Sequence, residues 1–358
     1  MLTGARVLTT SLDKTACLWD AATGAELAVL RGHVGGVMSA VFDRSGVRVL
    51  TASDDETSKQ WEGVRYFPTD WTARVWDAAT GVELAVLSGH KLWLTSAVFD
   101  RPGARVLTTS LDKTACLWDA ATGTKLAVQR GHEGGVMSAV FDRSGARVLT
   151  ASSDETARLW DAATGAELAV LRGHKDEVTS AVFDRSGERV LTASLDKTAR
   201  MWDAATGSEL AVLRGHEAEV ISAVFDRPGA RVLTTSRDRT ARLWGAATGA
   251  QLAVLRHDGG VMSAVFDRSG ARVLTASSDE TARLWDAATG AELAVLRGHR
   301  ARVRSAVFDR SGVRLVTASS DMTARIWRVF PTIEALVIAR AIRPRELTQE
   351  QRKQFFLE

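Results

Sequence analysis

The sequence predicts an all-β fold built from about eight copies of one unit. Three observations predict it: regularly spaced histidines, tryptophans at the same spacing, and four strand-like segments in each interval. The seven histidines of the 358-residue chain are separated by 57, 42, 42, 42, 41 and 42 residues. Such self-similarity marks a repeat architecture rather than two or three unrelated domains. The histidines are His33, His90, His132, His174, His216, His257 and His299, and the matching tryptophans are Trp19, Trp76, Trp118, Trp160, Trp202, Trp244, Trp285 and Trp327.

One repeat, residues 164–203, shows the four segments in order. Each is short, alternates or runs apolar, and ends at a turn signal, so none is long or periodic enough for a helix. The turn Asp184-Arg-Ser-Gly187 joins the second and third segments, with glycine supplying the left-handed position. Four antiparallel strands at this spacing predict a radial blade. The segments are residues 167–171, 178–183, 189–194 and 198–202.

The repeats also share a motif: Gly-His, an aspartate six residues before the tryptophan, and a closing Trp-Asp. This motif resembles the WD40 repeat family, in the bacterial form with near-identical repeats, and the resemblance covers residues 1–328. It implies a WD40 β-propeller. Two copies depart from the pattern, because Arg256 replaces the glycine before His257 and Gly245 replaces the aspartate after Trp244.

The resemblance further implies a hydrogen-bonded tetrad of His, Thr, Asp and Trp in each blade. The chemistry is consistent, since a buried indole N–H needs an acceptor and both ring nitrogens of histidine need partners. Because every histidine is in phase, we interpret all seven as structural rather than as general bases or metal ligands. The predicted tetrads include His132, Thr150, Asp154 and Trp160; His174, Thr192, Asp196 and Trp202; and His216, Thr234, Asp238 and Trp244.

The two ends of the repeat region leave the number of blades open. The chain begins inside a third-segment strand, so it has eight strands of the third and fourth types but seven of the others. Eight blades with an incomplete first and last blade are favoured, the first lacking its innermost strand and the last its outer one. The alternative is seven blades, with residues 26–30 completing the last one and residues 1–20 forming a spare hairpin. This start also indicates a fragment of a longer repeat protein.

The 57-residue interval holds an insertion near residues 56–70. Asp55 and Asp70 each precede a tryptophan by six residues, so two copies of the fourth strand compete. A local duplication that loops out one copy is favoured. The alternative is a binding patch of aromatic residues, namely Trp61, Tyr66, Phe67 and Trp71.

Residues 329–358 predict a short helical tail. Thr332 is a plausible N-cap, Pro344 ends the first helix, and the capping box at 348–351 opens a second. The tail is similar to those closing WD40 regions of large bacterial signalling or effector proteins. That similarity implies an upstream effector domain outside this chain.

The near-identical copies differ mainly at the three residues after each Gly-His, one residue into the next strand, and beside the turn aspartate. By the family's geometry these positions lie on one face, around the central channel. A constant frame with variable loops is how repeat proteins diversify binding. The candidate partner-binding residues are Trp93, Lys175, Glu177, Arg237, Arg239, Arg300, Arg302 and Arg304.

Composition and motifs exclude several classes of function. Hydrophobic residues make up 45% of the chain, which is ordinary for a soluble protein, and a net charge of +3 supports nucleic-acid or membrane binding only weakly. Neither a signal peptide nor an apolar run long enough to span a membrane occurs, and Cys17 and Cys116 share one register in different repeats, which argues against a disulfide. No nucleophile elbow, metal-ligand cluster or phosphate loop stands out. We therefore expect a cytoplasmic, non-enzymatic protein without cofactor or metal.

Two functions are compatible with these observations. The leading hypothesis is a protein-interaction scaffold or sensor that binds a protein partner through the variable face. The alternative is binding of nucleic acid or a phosphorylated ligand through the arginines of that face, which predicts affinity that falls with salt.

Overall fold

The computed structural model is an eight-bladed β-propeller, which confirms the predicted fold class. The structure describes residues 2–3, 6–53, 71–309 and 311–329, which form 31 strands in eight antiparallel sheets and contain no helix. We call the sheets blades 1 to 8 in chain order, and their successive strands inner, second, third and outer. The first segment of the sequence repeat is thus the outer strand of one blade, and its second, third and fourth segments are the inner, second and third strands of the next blade. Every blade takes its strands consecutively from the sequence.

The strands of blades 1 to 4 are β1 (Leu2–Thr3), β2 (Arg6–Thr10), β3 (Thr15–Asp20), β4 (Glu26–Arg31), β5 (Val37–Phe42), β6 (Arg48–Ser53), β7 (Ala73–Asp77), β8 (Glu83–Leu87), β9 (Leu94–Phe99), β10 (Arg105–Ser110), β11 (Thr114–Asp119), β12 (Lys125–Arg130), β13 (Val136–Phe141), β14 (Arg147–Ser152), β15 (Thr156–Asp161) and β16 (Glu167–Arg172). Those of blades 5 to 8 are β17 (Val178–Phe183), β18 (Arg189–Ser194), β19 (Ala199–Asp203), β20 (Glu209–Leu213), β21 (Val220–Phe225), β22 (Arg231–Ser236), β23 (Thr240–Gly245), β24 (Gln251–Arg256), β25 (Val261–Phe266), β26 (Arg272–Ser277), β27 (Ala282–Asp286), β28 (Glu292–Leu296), β29 (Val303–Phe308), β30 (Arg314–Ser319) and β31 (Ala324–Arg328).

The turns between strands are fixed by side chains that the repeat supplies. In blade 5, Gly187 takes the left-handed conformation (φ 80°) between the inner and second strands, as expected. Its N–H donates to the Asp184 carboxylate at 2.8 Å. At the other tight turn the Asp203 carboxylate accepts the backbone N–H groups of Ala205 and Thr206 at 3.0 and 2.7 Å. These aspartate side chains cap the turns in addition to the backbone hydrogen bonds from Gly187 N–H to Asp184 O and from Gly207 N–H to Asp203 O.

Side-chain packing joins each blade to the next. Between blades 4 and 5, Leu149 and Ala157 pack with Val190 and Trp202, all of them buried. The equivalent set recurs between later pairs of blades. A hydrogen bond accompanies it, since Arg147 Nη2 donates to the Gly187 carbonyl of the next blade at 2.6 Å. The apolar area removed from water between the blades is the main stabilising term of such a ring.

The ring closes by the same contact. Val307 and Val316 of blade 8 pack against Val7, Trp19 and Ala21 of blade 1, at positions equivalent to those used between the other blades. Among the described residues, blade 8 has three strands and no outer one, as predicted. Eight blades are thereby confirmed.

The first blade excludes the seven-blade alternative and corrects one detail of the eight-blade prediction. Residues 26–31 form the outer strand of blade 1, paired with β3, and do not complete the last blade. The innermost strand of blade 1 is not missing either, because Leu2–Thr3 pairs with β2 in that place. This inner strand has two residues, against six in each inner strand of blades 2 to 8, so the first blade is incomplete.

The insertion and the tail fall mostly outside the described residues. The sequence offers two copies of the segment that ends in tryptophan, one after Asp55 and one after Asp70. The third strand of blade 2 is Ala73–Asp77, so the copy after Asp70 enters the sheet. The first copy and its aromatic residues Trp61, Tyr66 and Phe67 lie outside the described part, as do the predicted helices after residue 329. Across the residues that the structure does describe, nothing helical is long and apolar enough to cross a membrane.

Candidate interaction face

Four side chains tie the strands of blade 5 together. His174 Nε2 lies 2.8 Å from Thr192 Oγ1, and His174 Nδ1 lies 2.8 Å from Asp196 Oδ2. The indole N–H of Trp202 donates to Thr192 Oγ1 at 2.9 Å. These are the residues that the WD40 resemblance pairs, and they connect the loop before the inner strand to the second and third strands.

The chemistry of the four groups orients this network. An indole can only donate and an ionised carboxylate can only accept. With a neutral imidazole, every group is therefore satisfied in one arrangement: Trp202 donates to Thr192, Thr192 to His174 Nε2, and His174 Nδ1–H to Asp196. Both ring nitrogens are then occupied, so neither is available as a general base or a metal ligand.

The same distances recur around the ring. In blade 4, His132 lies 2.7 Å from Thr150 and 2.8 Å from Asp154, and Trp160 donates to Thr150 at 2.9 Å. The set His216, Thr234, Asp238 and Trp244 of blade 6 has distances between 2.7 and 2.9 Å. The departure at Arg256 is tolerated, because His257 still reaches Thr275 and Asp279 at 2.7 and 2.9 Å.

The tetrad aspartate also holds the variable loop. The backbone N–H of Lys175, the first variable residue, donates to Asp196 Oδ2 at 3.1 Å. Burial opposes the charged form of Asp196, but the hydrogen bonds from His174, Thr198 and Lys175 outweigh it and lower the pKa of this carboxyl group. Equivalent bonds reach the backbone of Lys91, Glu133, Glu217, Asp258 and Arg300.

A second pair of bonds joins the variable loop to the turn between the second and third strands. Ser194 Oγ donates to the Asp176 carbonyl at 3.0 Å, and Leu195 N–H donates to the Glu177 carbonyl at 3.0 Å. The turn itself holds Lys197 at φ 69°, in the left-handed region that non-glycine residues rarely adopt. The two sets of variable positions therefore form one rigid edge on each blade.

The predicted partner-binding residues all lie on this face, which we call the variable face. Trp93 is 40% exposed, and Glu177 is half-buried with its pKa raised by burial and by the charge of Asp176. The others are exposed: Lys175, Arg237, Arg239, Arg300, Arg302 and Arg304.

The structure does not gather the predicted arginines into one patch. Arg237 and Arg239 lie on blade 6 and the other three on blade 8, so blade 7 separates them. Arg237 also approaches Glu219 at 3.8 Å, and Arg304 donates to Ser320 Oγ at 2.8 Å. The positive charge is thereby divided and partly offset.

The variable position one residue into the inner strand contacts the next blade in some repeats and faces solvent in others. Thr179 is skipped in the pairing between Val178 and Ser180, so it sits at a β-bulge. In blade 5 it faces the neighbouring blade, because Thr179 Oγ1 donates to the Val220 carbonyl at 3.1 Å. Thr95 bonds to Val136 of the next blade in the same way at 2.5 Å. Arg304 and Met38, at the same position, are exposed instead.

Sequence comparison of the repeats missed an apolar arc on the variable face. Exposed large hydrophobic side chains occur there on four consecutive blades, from blade 8 through the seam to blade 3. The same positions of blades 4 to 7 hold glycine, alanine, polar and charged residues together with four large hydrophobic residues that are half-buried rather than exposed, namely Met137, Leu195, Ile221 and Met262. The side chains of the arc are Met322 (98% exposed), Leu12 (74%), Met38 (53%), Leu92 (45%), Val34 (41%) and Trp93 (40%). The blades that carry the arc are neighbours in the ring, because closure at the seam places blade 8 beside blade 1.

The described residues contain no group of three histidine, cysteine, aspartate or glutamate side chains placed to hold a metal ion. What this face offers chemically is shape, apolar contact and charge on a rigid frame, which are the means of binding.

Known proteins resemble this chain in repeat and in fold. The WD40 family model, "WD domain, G-beta repeat", matches residues 24–62, 81–119, 123–161, 165–203, 207–245, 249–286 and 290–328. WD repeat-containing protein 37 of Mus musculus is 46% identical over 61 residues, and that of Homo sapiens is 44% identical over 61 residues. Each match spans 17% of this chain and 12% of the relative.

Among solved structures, the crystal structure of the computationally designed Ika8 protein aligns with a TM-score of 0.80 at 27% identity. The alignment covers 92% of this chain and 95% of that chain. The seven family matches together cover more than half of the sequence. The chain therefore belongs to the WD40 repeat family.

Proposed function

We propose that this protein is a non-enzymatic scaffold or sensor that binds a protein partner through the variable face. WD40 propellers typically mediate protein–protein interactions and are generally not enzymes. The observation that carries the proposal is the apolar arc of Leu12, Val34, Met38, Leu92, Trp93 and Met322. Contiguous exposed apolar surface on a soluble protein marks an interaction site.

The arc favours a protein over a nucleic acid. Nucleic-acid surfaces are dominated by phosphate and require a continuous positive track. On the variable face the arginines are split between blades 6 and 8, while the apolar residues are consecutive around the ring. A partner segment with apolar side chains over the arc and acidic ones near Arg300 and Arg302 fits this distribution.

Site-specific photo-crosslinking tests the proposal. A photoreactive phenylalanine analogue at Trp93, in the native cell, captures the partner for identification by mass spectrometry. The variant Met38→Ser with Trp93→Ser is then compared with Val47→Ser and Val82→Ser, which alter two equally apolar and exposed residues of the opposite face. We expect the purified partner to bind the control like the wild type and the Met38/Trp93 variant at least about tenfold more weakly. Equal binding by both variants would exclude this face.

We further propose that the propeller senses its ligand on behalf of an effector domain in a cytoplasmic bacterial signalling protein. Support comes from the near-identical repeats and from the similarity of residues 329–358 to the tails of such proteins. The gene provides the test. An effector domain encoded upstream in the same reading frame supports the proposal, and an independent start site preceded by a stop codon contradicts it.

A further inference from the structure

The face opposite the variable loops carries an arginine from nearly every blade. The inner strands of blades 2 to 8 end in Val-Phe, and the sequence continues with Asp-Arg into the turn that follows. Because the inner strands surround the channel, these arginines ring its mouth. In the described part of the chain they are Arg44, Arg101, Arg143, Arg185, Arg227 and Arg268, one from each of blades 2 to 7, and all are exposed.

Four of these arginines line one cavity. Arg101, Arg143, Arg185 and Arg227 come from four consecutive blades and line a depression of about 500 Å³ that is open to solvent. Its remaining lining is mostly apolar and comes from the ends of two inner strands: Val182, Phe183, Val224 and Phe225. The volume lies in the range of small-molecule sites, about 300–1,000 Å³.

The acidic residues nearest to the ring are already engaged. Asp184, which precedes Arg185, is buried and accepts from Arg189 Nε at 2.9 Å within its own blade. Asp226, which touches the cavity, is paired in the same way with Arg231 at 3.0 Å. By contrast, the side chains of the four cavity arginines make no hydrogen bond or ion pair with any residue the structure describes.

The charges of the ring act on one another. The positive charge of Arg44, and to a smaller extent slight desolvation and the charges of Arg143 and Arg185, lower the pKa of Arg101. These arginines come from blades on both sides of Arg101, so the positive charges of neighbouring blades repel one another at this mouth of the channel. Converging like charges destabilise the free protein and concentrate a positive potential at the channel mouth. An anion that bound there would remove this repulsion.

We propose that this arginine ring binds a compact small molecule that carries several phosphate groups. Guanidinium groups present paired N–H donors that match phosphate oxygens, which favours phosphate over a single carboxylate. A compact ligand fits because arginines of four consecutive blades border one depression, so a single small anion can reach several of them. The apolar cavity wall can accept the hydrocarbon part of such a ligand. This site lies on the opposite face from the proposed protein-binding arc and is independent of it.

Isothermal titration calorimetry with inositol hexakisphosphate as the probe tests the proposal. The ring variant carries Arg143→Gln, Arg185→Gln and Arg227→Gln, and the control variant carries Arg237→Gln, Arg239→Gln and Arg302→Gln. Each variant loses three positive charges, so both lose the same long-range attraction for an anion. We expect one molecule to bind per chain, equally in wild type and control, and about tenfold or more weakly in the ring variant. Inorganic orthophosphate, with one phosphate group, should bind far more weakly than the probe.

Melting temperatures provide a second measurement. The ring variant should stay folded, since its arginines lack structural partners, and the probe should raise the melting temperature of wild type and control but not of the ring variant. Absence of binding to wild type, equal weakening in both variants, or several molecules bound per chain would overturn the proposal. So would tighter binding of a single-stranded oligonucleotide at the same arginines, because that result would assign the ring to nucleic acid.

Discussion

The carboxylate of Asp196 accepts a hydrogen bond from the backbone N–H of Lys175 at 3.1 Å and another from His174 Nδ1 at 2.8 Å. One carboxylate thus links the buried network of the blade to the first exposed residue of the variable loop. The loop can change its side chains freely because its backbone is fixed by a residue that does not change. Stability and binding surface are therefore coupled at one atom, Oδ2 of this aspartate.

Asp196→Ala should destabilise the protein and loosen the loop. The substitution leaves the His174 and Lys175 N–H groups without their acceptor, so we expect a loss of about 1–3 kcal/mol in the free energy of unfolding. Urea denaturation measures the loss, and hydrogen exchange at Lys175 reports the loop. The control is Glu217→Ala, an exposed acid on the next blade, which should change the free energy by about 0.5 kcal/mol or less. Equal losses in both variants would contradict the coupling.

Gln129→Leu should stabilise blade 3. Gln129 is 1% exposed, and its amide oxygen and nitrogen have no hydrogen-bond partner among the described residues. The other complete blades have leucine there, for example Leu171. Removing a buried, unpaired amide of similar volume should raise the free energy of unfolding by about 1–3 kcal/mol. Leu171→Gln is the matched reverse change and should lower it similarly. A less stable Gln129→Leu protein would show that the amide is satisfied.

Gly245→Asp should restore a turn cap that blade 6 lacks. In blade 5, Asp203 accepts from Ala205, Thr206 N–H and Thr206 Oγ1 at 2.7 to 3.0 Å. A Cβ added at Gly245 would lie 2.9 Å from Thr248 Oγ1, the hydroxyl that rotates into this bond in other blades. We expect a gain of about 1 kcal/mol from the cap and from the reduced freedom of the unfolded chain. Thermal denaturation measures it, Asp203→Gly is the reverse control, and a lower melting temperature for Gly245→Asp would refute the cap.

The protein should unfold steeply in acid. Hydrogen bonds lower the folded-state pKa values of the tetrad carboxyls, including Asp154, Asp196 and Asp238, although burial acts in the opposite direction. A lowered folded pKa stabilises the protein above the unfolded value of about 3.9, and this stability is lost as the pH falls below that value. Tryptophan fluorescence between about pH 6 and 2 should therefore show a transition below pH 4 that takes up several protons. A one-proton transition, or a midpoint above pH 5, would contradict the linkage.

The sequence predicted the parts of this structure that follow from local chemistry. The Asp184–Gly187 turn and the four strands of a blade follow from alternation and from glycine, which the structure shows at φ 80° for Gly187. The residues of the blade 5 network could be paired because a buried indole and imidazole must find partners. Eight blades were favoured from the sequence, but the choice between eight and seven depends on how Val316 packs against Val7 across the seam, which no local pattern encodes.

The apolar arc and the arginine ring could not be predicted from the sequence, for opposite reasons. The apolar arc unites Met322 with Leu12, which are far apart in the chain and adjacent only once the ring closes. The arginine ring consists of residues such as Arg143 that do not vary between copies. Because these arginines are the same in every copy, differences between the repeats do not reveal them. Repetition around the channel nevertheless concentrates a positive charge that a single repeat does not have.

Each blade consists of consecutive strands and packs mainly against its two neighbouring blades. The repeat unit of the gene is therefore also a unit of packing. An in-frame crossover between two near-identical copies deletes or adds about 42 residues without interrupting any sheet. The protein can therefore gain, lose or exchange a whole set of binding loops in a single recombination event, while its core contacts are regenerated by the copies that flank the junction. For this architecture, new specificity can arise by reordering segments that already fold.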